Sequence, residues 1–303
     1  MRLDSIILGV LAGGGLVLAQ DQPSPYVGSS TCQACHEDIF NQVAKSSHHL
    51  VDLENRKGIG SQWQGKACEA CHGPGSKHAE SVSADDIKNP AKLTAAAADK
   101  ICLSCHQNTT THAGRLQNAH AKDGVSCVAC HKVHADNGEH LVARSAPAIN
   151  QQCSACHLAV AAQFQRPYRH KLPEGAMSCV DCHNPHGSIR PAMGQAFGSN
   201  EPGCFKCHGD KRGPFTFEHG PVRFEGCQSC HEPHGSANPR MLARQEVRLV
   251  CLECHANLPQ GNKTGTLGVV PPAFHDLLSP RFQNCTVCHQ KIHGSYVDSN
   301  LLK

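Results

Sequence analysis

The sequence has few of the side chains from which a chain of 303 residues ordinarily builds its core. Aromatic residues make up 4% of it, methionine occurs four times, and the mean hydropathy is −0.38. Beyond the first twenty residues, no segment is apolar enough for a transmembrane helix, which needs about 20 predominantly apolar residues. A large core made by the polypeptide alone and a spanning helix in the later chain are therefore both excluded.

An excess of charge of one sign is also missing. The 28 Lys and Arg residues stand against 25 Asp and Glu residues, so the formal net charge is +3. No long basic run or basic helix stands out, and we therefore expect no nucleic-acid partner.

Cysteine and histidine, in contrast, are abundant, with 20 Cys and 23 His. Many cysteines in a secreted chain ordinarily indicate a disulfide framework, but their spacing here contradicts that interpretation. The pattern C-x-x-C-H occurs ten times and uses every cysteine. The cysteine pairs are Cys32 with Cys35, Cys68 with Cys71, Cys102 with Cys105, Cys127 with Cys130, Cys153 with Cys156, Cys179 with Cys182, Cys204 with Cys207, Cys227 with Cys230, Cys251 with Cys254 and Cys285 with Cys288. The histidines that follow are His36, His72, His106, His131, His157, His183, His208, His231, His255 and His289.

The spacing within each motif fits covalent attachment of haem c. Two thiols three residues apart lie on one side of a helical turn, where they can form thioethers to one haem, and the next residue can ligate its iron. Zinc sites and redox dithiols also use C-x-x-C. Ten motifs that each continue into histidine favour ten covalently bound haem c groups over those alternatives.

A six-coordinate iron needs a second axial ligand, and histidine is the residue available in sufficient number. After removal of the first residues, Met177, Met193 and Met241 remain, too few for ten haems. The motifs fall into five two-haem repeats, which start near residues 32, 102, 153, 204 and 251. Each repeat has one histidine between its motifs and one shortly after the second. The predicted distal ligands are His48, His78, His120, His134, His170, His186, His219, His234, His275 and His293.

Three histidines are left over: His112, His140 and either His49 or its neighbour. We favour His48 over His49 as the ligand, because Ser46-Ser47-His48 resembles the approach to other histidines between motifs. His186 follows His183 by three residues, too close to reach the opposite face of the same haem. We therefore expect His186, His134 and His234 to serve neighbouring haems.

The first nineteen residues are predicted to be a signal peptide. Arg2 precedes an apolar stretch from Ile6 to Leu18, and Ala19 ends a short segment suited to cleavage. An uncleaved anchor is the alternative. Export is consistent with the motifs, because haem c is attached outside the cytoplasm.

The predicted fold is that of a multihaem cytochrome c: short α-helices and loops around a packed chain of ten haems, with almost no β-structure. After cleavage, 303 − 19 = 284 residues would serve ten haems, about 28 each, too few for separate haem domains. Helices are predicted near residues 37–49, 89–106, 147–164 and 240–255. Turns are predicted at 73–75 and 213–214.

Local phrases resemble the MtrA/DmsE family of periplasmic decahaem cytochromes. They are C-E-A-C-H-G-P-G-S-K-H at 68–78, C-V-D-C-H-N-P-H-G-S at 179–188, K-R-G-P-F at 211–215 with E-H at 218–219, and I-H-G-S at 292–295. The resemblance covers nearly all of the chain after residue 19 and is weakest from 257 to 281, around His275.

The resemblance implies a periplasmic protein associated with the outer membrane. Such cytochromes lie inside a β-barrel porin and carry electrons between a periplasmic donor and an outer-surface cytochrome or terminal reductase. The chain itself lacks a lipid-spanning segment. A soluble periplasmic carrier or a haem filament is the first alternative. A multihaem reductase is the second, although ten distal histidines would leave no open iron, and we therefore expect no enzyme activity.

Overall fold

The computed structural model describes residues 25–53, 61–106, 119–134, 145–187, 203–255, 275 and 279–303. The predicted signal peptide, His112, His140 and Met193 lie outside these ranges. All twenty motif cysteines and all twenty predicted histidine ligands lie inside them.

Short helices joined by loops make up the described chain, as predicted. The α-helices are Ser29–Gln33 (α1), Glu37–Ala44 (α2), Ala67–His72 (α3), Ser76–Ser81 (α4), Ala95–His106 (α5), Ala119–Lys122 (α6), Cys127–Cys130 (α7), Ala146–Ser154 (α8), Leu158–Gln163 (α9), Gly220–Phe224 (α10), Val247–Leu252 (α11) and Cys285–Cys288 (α12). Single 3₁₀ turns are Ser47–Val51, Ser61–Trp63, Ala84–Asp86, Pro90–Lys92, Cys179–Asp181, Gly203–Lys206, Gly209–Lys211, Cys227–Ser229, Pro239–Met241 and Pro280–Phe282.

All four segments predicted to be helical contain α-helix, but in each the α-helix is shorter than predicted or is interrupted. The segment 147–164 contains α8 and α9, separated at the C-x-x-C-H motif. Ser145 caps α8, since its hydroxyl accepts a bond from the Ala148 N–H, and Pro147 occupies the first turn. The segment 240–255 retains only α11, Val247–Leu252, as α-helix. The turn at Gly73 is present, with φ +74° at the end of α3.

β-Structure in the described part is confined to short pairings. Phe217–Glu218 (β1) and Gly294–Ser295 (β2) are antiparallel, with Phe217 opposite Ser295. Isolated bridges join Tyr168 to Ser236 and His231 to Leu242. These pairings are few, but the Tyr168–Ser236 and Phe217–Ser295 pairings lie at equivalent positions of successive repeats.

Buried apolar side chains are rare among the described residues. Ala98 and Phe164 are the buried hydrophobic ones, whereas Glu69, Ser236 and Ser295 are almost fully enclosed. A protein domain normally buries a contiguous apolar cluster. The described polypeptide is instead fixed by backbone bonds and buried polar side chains, in keeping with a multihaem fold.

The chain divides into two compact units, Met1–Asn89 and Pro90–Lys303. The first contains the first predicted repeat, and the second contains the remaining four. Within the described residues, no helix is long and apolar enough to cross a membrane.

Candidate functional site

Each C-x-x-C-H motif folds into one tight turn that places its cysteines and histidine on the same side. The N–H of the histidine donates to the carbonyl of the first cysteine, for example His131 to Cys127 at 2.8 Å and His183 to Cys179 at 2.9 Å. This bond between residues i and i+4 is that of an α-helical turn. Two sulfurs and an imidazole are thereby presented together, as covalent haem attachment requires.

The two cysteines of a motif differ in exposure. The first cysteine is half-buried in every motif. The second is half-buried in three motifs, at Cys71, Cys182 and Cys230, and exposed in the other seven. The exposed ones are Cys35, Cys105, Cys130, Cys156, Cys207, Cys254 and Cys288. The first cysteine is therefore packed within the polypeptide, whereas the second mostly lies at its surface, where an attached haem can cover it.

The two motifs of each repeat meet at their first cysteines. Side-chain contacts join Cys32 to Cys68, Cys102 to Cys127, Cys153 to Cys179, Cys204 to Cys227 and Cys251 to Cys285. Burial, followed by the neighbouring Cys68, raises the pKa of the Cys32 thiol to about 11. In contrast, hydrogen bonding to Cys227 lowers the pKa of Cys204 to about 6. The same pairing of first cysteines recurs in all five predicted repeats.

Sulfurs of successive repeats also approach one another. Burial and then the nearby Cys204 raise the pKa of Cys182, and burial and then Cys254 raise the pKa of the half-buried Cys230. From Cys153 to Cys288, motifs that are neighbours in the sequence are therefore also neighbours in space. These cysteines would thus hold successive haems in the order of the sequence.

A polar side chain three residues before the first cysteine holds the second motif in two repeats. In the second repeat, Asp99 accepts a hydrogen bond from the Cys127 N–H at 2.8 Å. In the third repeat, Asn150 accepts one from the Cys179 N–H at 3.0 Å. Sequence reasoning missed both residues. The signal that could have revealed them is the recurrence of a short polar residue at the same distance from the first cysteine.

Histidine rings face one another in pairs, and each described pair joins a motif histidine to a predicted distal one. The distances between ring centroids span 5.9 to 6.4 Å. The eight pairs are His36–His78, His157–His120, His131–His186, His208–His170, His183–His234, His255–His219, His231–His293 and His289–His275.

This separation fits an iron atom between the two rings. Imidazole nitrogens bind metals at about 2 Å, and a ring centroid lies roughly 1 Å behind its nitrogen, so two coaxial ligands place their centroids about 6 Å apart. Among the described residues, no group of three or more His, Cys, Asp or Glu side chains could hold a metal ion. Two protein ligands per metal, with a porphyrin supplying the rest, match this arrangement.

Hydrogen bonds to Nδ1 leave Nε2 of several rings available for a metal. Among the motif histidines, Nδ1 of His72 lies 2.7 Å from the Lys88 carbonyl oxygen, and Nδ1 of His289 lies 2.7 Å from that of Asn300. Among the distal histidines, Nδ1 of His78 lies 2.8 Å from the Ser83 carbonyl oxygen. Because a carbonyl only accepts, each Nδ1 carries the proton. Such a bond fixes the ring orientation and tautomer that a metal ligand needs.

Burial also favours the neutral imidazole. Burial is the main cause of a lowered pKa at six histidines, which are His131, His183, His219, His234, His255 and His293. A neutral ring has the lone pair with which a histidine binds iron.

The remaining predicted ligands lie at definite places in the fold. His106 ends α5, His48 belongs to the 3₁₀ turn Ser47–Val51, and His134 follows the fourth motif. His49, the alternative to His48, lines a small pocket with Phe40 and Cys68. Neighbouring residues of a 3₁₀ turn point about 120° apart, so the two histidines face different directions.

Comparison with known proteins agrees with this geometry. A family model described as a doubled CXXCH motif matches residues 170–213 and 219–260. The multiheme cytochrome MtrA of Shewanella baltica (strain OS185) is 33% identical over 274 residues, which cover 88% of this chain and 78% of that protein.

The motif turns, the facing histidines and the paired-motif match define a class: the protein is a multihaem c-type cytochrome, an electron-transfer protein with covalently bound haem. Its similarity to the Shewanella protein along most of both chains narrows the class further. The chain belongs to the MtrA family of multihaem cytochromes.

Proposed function

We propose that the protein is a decahaem electron conduit in which every iron lies between two histidines. The observation that carries this proposal is the set of facing ring pairs, each made of one motif histidine and one predicted distal histidine at about 6 Å. The twenty motif cysteines would hold ten haems. The ligands would be the ten motif histidines and the ten distal histidines, with His48 rather than His49 in the first repeat.

The bound haem supplies reversible one-electron chemistry, and the protein supplies its position, ligation and exposure. The sulfur contacts within each repeat, together with the proximity of Cys182 to Cys204, bring successive attachment points near one another. Two histidines per iron favour lower potentials than a histidine and a methionine. These features suit transfer from haem to haem along the chain rather than binding of a substrate, so we propose no enzyme activity.

We further propose that the conduit works in the periplasm at the outer membrane, inside a β-barrel porin. The membership of the MtrA family and the signal-peptide pattern of residues 1–19 support this location. A hydrocarbon core of roughly 30 Å is too thick for one haem and suits a row of them. A periplasmic donor and an outer-surface cytochrome or terminal reductase would be the redox partners.

The experiment that tests this function is purification of the haem-loaded protein from membranes in mild detergent. Low-temperature EPR would report the spin state of each iron, and mass spectrometry would give the number of attached haems and identify co-purifying proteins. We expect ten haems, low-spin signals only and a β-barrel partner.

Other outcomes distinguish the alternatives. Low-spin haems without a barrel would favour a periplasmic carrier or a filament, the latter visible by electron microscopy. A high-spin signal in the resting protein would mean an open iron position and would contradict the bis-histidine assignment at that haem.

A further inference from the structure

A four-residue turn recurs after the second motif of the last three repeats, and we name it the distal turn. Its three copies are 184–187, 232–235 and 291–294. In each copy the N–H of the final glycine donates to the carbonyl of the first residue, at 3.0, 3.0 and 2.8 Å respectively. The third residue is the predicted distal ligand, His186, His234 or His293. The turn therefore fixes where that imidazole leaves the backbone.

The second residue of each distal turn binds the preceding repeat. The Pro185 carbonyl accepts a bond from Nδ1 of His120 at 3.2 Å, and the Pro233 carbonyl accepts one from Nδ1 of His170 at 2.8 Å. His219 makes the same kind of bond to the Ile292 backbone. In each case the donor is the histidine between the motifs of the repeat before. The accepting carbonyl belongs to the peptide bond that precedes the distal histidine of the turn. A hydrogen bond to one peptide unit thus links two predicted distal ligands, for example His170 and His234.

Backbone pairing reinforces this contact. Tyr168, two residues before His170, exchanges hydrogen bonds with Ser236 of the next repeat at 3.2 and 2.8 Å. Phe217, two residues before His219, pairs in the same way with Ser295. Both serines are almost fully buried. The phrase H-G-S therefore acts as a short edge strand for the preceding repeat.

Close packing explains why glycine occupies the middle position of the H-G-S sequence. A Cβ at Gly235 would collide with the Gln163 carbonyl oxygen and lie 3.3 Å from Arg169 Cβ, both in the preceding repeat. A Cβ at Gly294 would collide with the Phe215 ring. The φ angles are +137° and +144°, a region that side chains other than glycine rarely adopt.

Side chains from both repeats stabilise the turn. In the third repeat, Asn184 Oδ1 accepts from the His186 N–H at 3.0 Å and its Nδ2 donates to the Gly187 carbonyl at 2.7 Å. In the fourth repeat, Arg166 of the repeat before donates to the Gly235 carbonyl at 2.9 Å and pairs with Glu232 at 2.7 Å. Asn184 and Arg166 are therefore positioning residues for the distal turn.

The two linked histidines point to different repeats. His170 faces His208 of the following repeat, whereas His234 faces His183 of the preceding one. The same exchange joins His120 to His157 and His186 to His131 one repeat earlier. It recurs with His219 facing His255 and His293 facing His231.

We infer that the distal turn is a clamp between repeats, through which successive repeats exchange distal ligands and two successive haems share one hydrogen-bonded ligand unit. A change at either histidine would then alter the ligand field of both haems. This inference rests on the bis-histidine ligation proposed above.

Replacement of one distal-turn glycine tests the clamp without removing a ligand. Gly235→Ala should shift the low-temperature EPR signals of two haems, those between His170 and His208 and between His183 and His234. Gly209→Ala is the matched control, because Gly209 also follows a ligand histidine in the fourth repeat but has no heavy atom within 4 Å of its added Cβ. We expect no EPR signal of the control to shift. Intact mass would verify that both full-length variants retain all their haems, and a Gly235→Ala spectrum identical to the control would overturn the clamp.

A second pair of variants decides the matter even if Gly235→Ala loses haem. His170→Met keeps a ligand but removes the proton donor to Pro233, so one haem should become His/Met in near-infrared magnetic circular dichroism while a second, still bis-histidine, shifts in EPR. His78→Met is the control, since its Nδ1 bonds Ser83 within its own repeat. In His78→Met, one haem should become His/Met and the EPR signals of all the other haems should stay the same.

The outcomes separate the two proposals. One altered haem in both variants would overturn the clamp and leave the ligation intact. Absence of any His/Met haem in His170→Met would contradict the ligand role of His170 itself.

Discussion

Asn150 fastens the second motif of the third repeat through both ends of its amide. Its Oδ1 accepts from the Cys179 N–H at 3.0 Å, while Nδ2 donates to the carbonyls of Leu172 at 3.1 Å and Met177 at 2.9 Å. A single side chain thereby fixes the loop on which Cys179 is presented. Asp99 occupies the matching position of the second repeat but provides the acceptor alone for Cys127.

Asn150→Ala should destabilise the third repeat by roughly 1–3 kcal/mol, because it leaves part-buried backbone groups without their partners. The expected result is a lower melting temperature and incomplete haem attachment at Cys179 and Cys182, measured by calorimetry and intact mass. Asn150→Asp is an informative control, since it keeps the acceptor and loses the two donor bonds. Full haem loading and unchanged melting of the alanine variant would refute this role.

At the scale of single residues, the motif spacing and the repeat singled out the histidines that the structure places in facing pairs. His170, His219 and His234 each face a motif histidine, and even His275, in the segment that resembled the family least, faces His289. The partner of each ligand was not predictable, because it depends on how successive repeats approach one another. Asn150 and Asp99 were missed because a short polar residue three positions before a cysteine is inconspicuous until the repeats are compared with one another.

Among the elements, the α3–α4 corner is organised around one buried carboxylate. Glu69 is 1% exposed and accepts bonds from the N–H groups of Val27, Gly28 and Gly75 at 2.8 to 2.9 Å. It therefore ties the segment before α1 to the turn between α3 and α4. This turn separates the second motif from His78.

Glu69→Gln should weaken the Met1–Asn89 unit by roughly 2–3 kcal/mol, because an amide offers one acceptor oxygen and places its NH₂ group against backbone donors. Hydrogen exchange followed by mass spectrometry should show faster exchange in residues 25–53 and 61–89. The unit Pro90–Lys303 should keep its protection. Glu80→Gln, at an exposed site of α4, should change neither unit, and equal exchange in the two variants would contradict the proposed role of Glu69.

The helices show which helix boundaries could be predicted from the sequence and which could not. The predicted start at Pro147 lies one residue from the observed start of α8 at Ala146, and the cap at Ser145 was not predicted. The predicted helix nevertheless stops at the motif and resumes as α9, since His157 leaves the helical conformation with ψ +53°. The β1–β2 pairing was not predicted, because two-residue strands have no alternation to read.

At the scale of the molecule's larger unit, Pro90–Lys303, the motif cysteines from Cys153 onward follow one another in sequence order. Contacts between first cysteines join the two motifs of each repeat in this unit, and Cys182 and Cys230 lie near Cys204 and Cys254 of the following repeat. The order of haems along the proposed conduit would then equal the order of motifs in the chain. An interior motif would be indispensable for transfer in a way that a terminal one is not.

Removal of one interior haem tests this order. Cys204→Ser combined with Cys207→Ser should lower the haem count by one and strongly slow the redistribution of electrons among the haems after rapid photoreduction, followed by absorbance. The matched control, Cys285→Ser with Cys288→Ser, removes the haem of the last motif and should leave redistribution among the others close to that of the unaltered protein. Equal rates in the two double variants would contradict transfer in chain order.

The histidine pairs at the two extremities differ from those inside. His36 and His78 belong to the first repeat alone, and His275 and His289 belong to the last alone, whereas the interior repeats give ligands away and receive others in return. These two end pairs are thus complete within one repeat, whereas every other described pair, including His231–His293 and His255–His219 of the last repeat, joins two successive repeats. The second and third repeats begin 153 − 102 = 51 and 204 − 153 = 51 residues before their successors. Duplication or loss of one such stretch of gene would lengthen or shorten the proposed conduit by two haems and would leave every iron with a distal histidine. Evolution could thus fit the length of the conduit to membranes of different thickness in a single step.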